Sequence, residues 1–527
     1  MTRRPAVHTE TLLALAAVFM LLAGNGPWWR AALAQRPWSD PGTWVFAGAV
    51  FVTLACFYFA FTALLATRHT VKPLLALLLV LTAFASYFME RYAVYLDRPM
   101  IRNVFATNPK EAGELLGFRL AWHVFLFGVL PSAVIAWLRV AQRPWKRAVA
   151  VRLGFVAGAI ALGTASLVLV FADAASLMRK NREMRWLITP GNIVAAVAAE
   201  TFATNVAAGP KLPIAPDAKR DAAPGQRPML FVLVVGETAR AQNFSLNGYA
   251  RETDPELKRR NVINFPDATA CGTSTEVSLP CMFSAFGRSN YDERKILSHE
   301  SVLHVLARAG VGVLWRDNQS GCKGVCEGLP QQQFEGFDEV LLDGMDRVLR
   351  DAKGNLLVVM HQLGSHGPAY YRRYPPAFAR FLPACGTDEL RQCPDAEIVN
   401  AYDNTILYSD HVLGRLIDWL AAQKTHDTGM LYVSDHGESL GESGLYLHGV
   451  PYAIAPAVQT RVPFVVWLSP ALQQDAGIDD GCLRRRAQKA VSHDHLFHTL
   501  LGIFSVRTKA YEPALDVFAG CRTKRSN

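Results

Sequence analysis

The sequence predicts a membrane domain of five transmembrane helices followed by an α/β domain built on a mainly parallel sheet. Five long apolar runs lie within the first 172 residues. Beyond them, short β-rich apolar runs alternate with helical stretches. Eight of the nine cysteines fall in that second part.

At 527 residues the chain has room for more than one domain, and it is 51% hydrophobic, high for a soluble enzyme. The excess concentrates in residues 1–172, whereas 229–527 reads as a globular domain, with 173–228 between them. The apolar runs are 10–25, 44–66, 73–89, 116–138 and 153–172, set against the roughly 20 residues a bilayer span needs. The third is short for a span. MTRR precedes the first run in the manner of a signal peptide, yet no small-residue cleavage site precedes GPWWR and further spans follow, so the run is read as retained.

Arginine and lysine set the orientation. Arg3, Arg4, Arg68, Lys72, Arg139, Arg143, Lys146 and Arg147 fall on one side, which is read as cytoplasmic. With the N-terminus inside, five spans place the C-terminal domain outside. Its cysteines fall into local pairs, Cys271 with Cys281, Cys322 with Cys326 and Cys385 with Cys393, leaving Cys482 with Cys521. Disulfides persist in oxidising compartments, and no CxxC pair suggests a zinc–thiolate site. Net charge is +9, much of it in loops flanking the membrane, which suits work at an anionic lipid surface. Nucleic acid is not an expected partner, because no binding motif occurs and the compartment is wrong.

After the fifth run, LMRKNREMRWLITPGNIVAAVAAETFA reads either as a helix lying along the membrane surface or as an ordinary connecting helix. Residues 207–228 are rich in Pro and Ala, as in a linker. MLFVLVV at 229–235 is a continuous apolar run, expected of a strand buried on both faces. The pattern recurs at 311–315, 356–360 and 430–434, with helical stretches at 301–310 and 404–423. Strands alternating with helices predict a parallel α/β sheet.

Ligands of such sheets sit beyond the carboxyl ends of the strands. The first predicted strand ends in Glu237, the second in Asp317 and Lys323, and the third in His361 and His366. The fourth ends in Asp435, His436, Glu438 and His448. Oxygen and nitrogen donors without thiolate fit zinc or, less selectively, manganese. A hydroxyl could complete the set, and a metal-held hydroxyl becomes a nucleophile near neutral pH. CGTSTEVSLPC at 271–281 offers Thr273, Ser274 and Thr275 at the start of a helix whose first amides attract phosphate. Each residue also has a plainer reading. Thr275 could cap the helix, His361 and His366 could be buried structural histidines, and Asp435 could form a turn before Gly437. HDHLFH at 493–498 looks metal-like but is read as structural.

The segments GETAR, CGTSTEVSLPCMFS, HQLGSHGPAYYRRYP and SDHGESLGESGLYLHG closely resemble those of the lipid A phosphoethanolamine transferases, which include the mobile colistin-resistance enzymes and belong to the alkaline-phosphatase superfamily. The likeness extends over nearly the whole chain. It implies an alkaline-phosphatase/sulfatase-like fold in a multi-pass protein of the bacterial inner membrane, with the catalytic domain in the periplasm. It also implies one tight zinc site held by Glu237, Asp435, His436 and the nucleophile Thr275. His366 and His448 match residues that bind the phosphoethanolamine group or a second zinc, and Lys323 matches a substrate-site lysine. Asn103, Thr107 and Glu111, spaced at i, i+4 and i+8 in MIRNVFATNPKEAGELL, match the family's face for the ethanolamine end of the donor, although Pro109 works against a regular helix there.

The reaction so implied carries phosphoethanolamine from phosphatidylethanolamine onto Thr275 and then to a lipid A phosphate, with His366 or His448 moving protons. Lower surface charge and polymyxin resistance follow from it, and a monomer is expected. A relative acting on a core heptose or a periplasmic glucan would share these motifs. A sulfatase would need a C-x-P-S-R segment, which the chain lacks. A transporter or membrane sensor would not need a nucleophile beside a metal set, and the spans are read as lacking the buried charges that transport uses.

Overall fold

In the computed structural model, residues 4–107, 109–207, 209–221 and 227–522 are described. The chain divides into two compact units, one of Met1–Ile101 with Leu116–Thr201 and the other of Arg102–Leu115 with Phe202–Asn527.

Among the described residues of the first unit, four helices are long and apolar enough to cross a membrane: Pro41–Leu65, Val71–Tyr92, Phe118–Trp137 and Trp145–Leu169. Thr9–Ala23 and Gly26–Leu33 together reach that length only as a pair bent by 63°, so the count is four, or up to five with the bent pair as one span. The bend falls at Gly24 and Asn25, just before Pro27, whose ring cannot continue a helix from the preceding turn. Asn25 is buried there and its amide donates to the Met20 and Thr189 carbonyls at 2.9 and 2.8 Å, supplying partners to freed backbone. The last span begins earlier than the hydropathy suggests, at Trp145, because Lys146, Arg147 and Arg152 extend the helix beyond the apolar run. Pro41–Leu65 and Trp145–Leu169 approach closely where Gly163 faces Thr53 and Cys56, and the Thr53 hydroxyl donates to the Gly163 carbonyl at 3.2 Å. The expectation that the spans lack buried charge needs correction at Glu10. This side chain is buried at the start of the first helix, with Arg143 at 2.9 Å and Arg152 at 4.0 Å, since an isolated carboxylate there would be too costly.

In the second unit seven strands form one sheet: β1 (Met229–Gly236), β2 (Ile263–Asn264), β3 (Gly312–Asp317), β4 (Gln331–Gln333), β5 (Leu356–His361), β6 (Asp427–Ser434) and β7 (Phe464–Leu468). Their order is β2-β7-β6-β1-β5-β3-β4. The ladders from β6 through β1, β5 and β3 to β4 are parallel, while β7 runs antiparallel to both β6 and β2, making the sheet mixed. Both faces are covered, which is why β1 reads as an unbroken apolar run. Phe231, Leu233 and Val235 enter one core, and Leu230, Val232 and Val234 enter the other.

The stretch read as a linker is structured over its described part. Lys219–Arg220 pairs with Val506–Arg507, and the Leu212 amide donates to the Ser298 carbonyl at 2.8 Å. The helix Asp395–Ala421 starts earlier than 404, since Pro394 precedes it and Asp395 and Glu397 favour its first turn. Disulfides join Cys271 to Cys281, Cys322 to Cys326, Cys385 to Cys393 and Cys482 to Cys521, and Cys56 is free.

Candidate active site

Strand register builds the centre of the site. β1 and β6 are parallel neighbours with Gly236 opposite Ser434, so Glu237 and Asp435, each following its strand, emerge side by side. His436 comes next along the chain. The helix Thr275–Met282 brings Thr275 to them, anchored by a hydrogen bond from the Ser278 hydroxyl to the Asp435 carbonyl. Glu237, Asp435 and His436 are fully buried, and Thr275 is 5% exposed.

Thr275 is the first residue of its helix and Ser274 occupies the capping position, so the plain capping role for Thr275 is not what forms. Instead the Thr275 hydroxyl lies 3.2 and 3.0 Å from the two Glu237 oxygens and 3.4 Å from His436 Nε2. Thr273 points elsewhere. The Thr273 hydroxyl donates to the Val450 carbonyl at 2.7 Å, and the Gly449 amide donates to the Thr273 carbonyl at 2.7 Å, tying this loop to the one that carries His448.

The donor set suits a divalent metal. His436 Nε2 is 3.4 Å from both Glu237 Oε1 and Asp435 Oδ2. Metal–ligand bonds of about 2.0–2.2 Å in a tetrahedron put neighbouring donors about 3.3–3.6 Å apart. His436 Nδ1 is 2.9 Å from the Gly437 carbonyl, which can only accept, so this nitrogen keeps its hydrogen and Nε2 is the atom that a metal would take once its proton has left. Asp435 Oδ1 accepts from the Thr238 and His436 amides, while Oδ2 is buried without a hydrogen-bond partner, as befits a ligand atom. Burial alone would raise the Glu237 carboxyl. The hydrogen bond and charge of His436 hold it far below the usual range. Burial and the Glu237 charge push Asp435 up to about 6.

Other expected residues surround this cluster. The His448 ring centroid is 4.5 Å from that of His436 and 5.6 Å from that of His366, and His448 Nδ1 lies 3.3 Å from the buried Glu438. His366 Nδ1 has no hydrogen-bond partner, and burial lowers this imidazole to about 3, which keeps it neutral. Lys323 pairs with Glu276, the residue after Thr275, at 2.8 Å. Asp317 and His361 meet each other behind Glu237 rather than joining the metal set.

The single helical face expected for Asn103, Thr107 and Glu111 does not form. One helix covers Arg98–Ala106 and another Pro109–Leu115, because the Pro109 ring cannot follow a preceding helical turn but suits the first position of a new one. The Thr107 hydroxyl folds back onto the Asn103 carbonyl at 2.8 Å, and the Glu111 side chain lies outside the described residues. The buried pair Arg373–Glu114 ties Pro109–Leu115 to the His366 loop, and Arg373 Nε donates to the His366 carbonyl at 2.8 Å.

Several contributors carry no signal in the sequence. Gln319 donates to Glu237 Oε2 at 3.0 Å. Gly364 has φ +55°, and a Cβ there would lie 2.7 Å from the Glu237 carbonyl, so the backbone of the third loop packs directly on the ligand residue. His493 of HDHLFH is structural, accepting from the Cys271 amide at Nδ1 (3.0 Å) and donating from Nε2 to the Ser434 carbonyl (2.9 Å). His493→Ala strands both partners, each of which costs about 1–3 kcal/mol when buried. A drop of about 2–6 kcal/mol in denaturant unfolding is therefore expected, and a drop below about 1 kcal/mol would contradict this anchoring role.

Comparison with known proteins gives the family. A family model described as sulfatase matches residues 230–506, and one described as phosphoethanolamine transferase EptA/EptB matches 54–201. The chain is 37% identical to the phosphoethanolamine transferase EptA of Escherichia coli K12, over 99% of this chain and 98% of the relative. It is 36% identical to the phosphatidylethanolamine transferase Mcr-1 of Escherichia coli, over 95% of this chain and 96% of the relative. The solved lipooligosaccharide phosphoethanolamine transferase A (EptA) of Neisseria meningitidis superposes with a TM-score of 0.95 at 36% identity, covering 99% of this chain and all of that one. A zinc complex of the C-terminal periplasmic domain of EptC from Escherichia coli matches at 25% identity with a TM-score of 0.50, covering 60% of this chain and 92% of that one. With relatives of this identity matched over nearly their whole length, the chain belongs to the phosphoethanolamine transferase family, its C-terminal part matching the sulfatase family.

Proposed function

We propose that this enzyme transfers phosphoethanolamine from phosphatidylethanolamine to a phosphate of lipid A through a covalent phosphothreonine at Thr275. The observation that carries the reading is the Thr275 hydroxyl, buried and held 3.0–3.4 Å from Glu237 and His436 at the ends of two parallel strands. Zinc is the metal proposed, held by Glu237, Asp435, His436 and Thr275 Oγ1. When bound it would act as a Lewis acid that eases loss of the Thr275 proton and offsets charge on the phosphoryl oxygens.

The residues then divide the work. Thr275 Oγ1 attacks phosphorus, the bond from phosphorus to the glycerol oxygen breaks, and diacylglycerol leaves with a proton. An oxygen of the acceptor phosphate next attacks the same phosphorus, and Thr275 departs and recovers its proton. His366, kept neutral by burial, and His448, braced by Glu438, face this space and would move those protons. Lys323 stands beside the nucleophile through Glu276 and would neutralise phosphoryl charge during both transfers. With the bent pair counted as a fifth span, the arginine and lysine clusters support a periplasmic location for this chemistry. Added ethanolamine amines would reduce the negative charge that cationic peptides such as polymyxin seek.

Mass spectrometry of lipid A from cells expressing the chain tests the reading. A gain of one phosphoethanolamine unit, with a rise in polymyxin tolerance, is the expected result. Unchanged lipid A with modified core heptose or periplasmic glucan would reassign the acceptor.

A further inference from the structure

Two groups that stand at strand ends, Asp317 and His361, take no part in the transfer steps above. Asp317 closes β3 and His361 closes β5, and their strands pair with these two residues opposite each other. Asp317 is saturated. Its Oδ2 accepts from Trp315 Nε1 at 2.7 Å and from His361 Nδ1 at 3.1 Å. Its Oδ1 accepts from the Gln319 and Gly321 amides at 2.8 and 3.1 Å and from Gln333 Nε2 at 3.3 Å. Such a carboxylate is itself immobile and dictates where its partners sit.

Both arms of this hub reach the same atom. Along one, Asp317 fixes the His361 ring so that the fully buried Nε2, which lacks a hydrogen-bond partner, faces Glu237 Oε2 at 4.0 Å. Along the other, Asp317 holds the Gln319 backbone, and the Gln319 side chain donates to Glu237 Oε2 at 3.0 Å. Trp315 packs edge-on against the His361 ring at 5.6 Å and removes its freedom to swing. The opposite oxygen, Glu237 Oε1, is then turned to His436 Nε2 at 3.4 Å.

We propose that Asp317, His361 and Gln319 are positioning residues that lock the Glu237 carboxylate in its metal-binding orientation. The inference rests on the metal reading above and adds that a hub on a different strand sets the affinity. Partners that orient a ligand from behind are worth about 10–100-fold in metal affinity. His361→Gln, Asp317→Asn and Gln319→Leu are each expected to weaken zinc binding by about that factor.

The test uses the full chain in detergent, stripped of metal, with zinc titrated against a chromophoric chelator and thermal unfolding followed with and without zinc. For His361→Gln and Gln319→Leu the metal-free melting temperature stays near that of wild type, whereas Asp317→Asn lowers it because its new NH2 faces buried N–H donors; in all three the rise produced by zinc shrinks, because stabilisation by a ligand follows its affinity. A purely structural role would instead lower the metal-free midpoint and leave the zinc increment intact, which overturns the proposal. Zinc affinity in His361→Gln equal to wild type also overturns it, and leaves the transfer reading standing. Should His361→Gln show no cooperative unfolding, unchanged affinity in both Asp317→Asn and Gln319→Leu overturns it. A wild-type chain that takes up no zinc would overturn this inference together with the metal reading.

Discussion

Thr275→Ala is expected to lower transfer by about 10⁴-fold or more, since removing a covalent nucleophile leaves only binding and electrostatic assistance. The substitution deletes the hydroxyl held by both Glu237 and His436. It leaves the helix intact, because Thr275 is not its cap and alanine is a strong helix former. Stability should therefore change by about 1 kcal/mol or less. Thr275→Ser keeps the attacking oxygen and should retain measurable transfer. Incubating the wild type with phosphatidylethanolamine alone should place phosphoethanolamine on the peptide containing Thr275, and the alanine variant should carry none. Near-wild-type transfer by Thr275→Ala would remove the covalent step from the mechanism.

Metal capture is expected to be steeply pH dependent, and Asp435→Asn should weaken it by at least about 100-fold, more than loss of an outer partner. Burial works against a proton on His436, but Asp435 and Glu237, with the Gly437 carbonyl, carry its pKa up to about 10. In the metal-free protein at neutral pH the ring is therefore charged, and an incoming cation must displace that proton. Affinity should rise about tenfold per pH unit from neutrality to about 9, with about one proton released per metal. Below the Asp435 value of about 6 a second proton competes and the slope steepens. Calorimetry in buffers of differing ionisation enthalpy measures the released protons. Affinity that stays flat from neutrality to about 9 would contradict a charged His436 in the metal-free site.

The sequence and the tertiary structure contribute at different ranges. Apolar runs such as MLFVLVV and MLYVS announce strands buried on both faces, and a parallel sheet delivers whatever follows such strands to one edge. Glu237, Asp435 and His436 were legible for that reason. They are read from local pattern plus one general rule of topology, and GETAR, SDHGE and CGTSTEVSLPC carry the family resemblance as continuous segments. Local breakers were legible only in part. Pro109 warned against one helix through Asn103 and Glu111, but only the structure shows where the first helix stops and the second starts.

What no local pattern could give are the contacts set by register and side-chain direction across distant segments. Which hydroxyl of Thr273, Ser274 and Thr275 faces Glu237 depends on the helix being pinned at Ser278 to the end of β6. That Asp317 and His361 brace Glu237, and that His493 ties Cys271 to Ser434, depends on packing between residues 44 to 222 positions apart. The antiparallel β7 likewise follows from long-range pairing rather than its own composition. Sequence alone determined the main buried strands and the inventory of reactive groups, because propensity and burial pattern act over a few residues. The tertiary structure alone decided their mutual distances, because those are fixed only when strands from remote parts of the chain settle into one ladder.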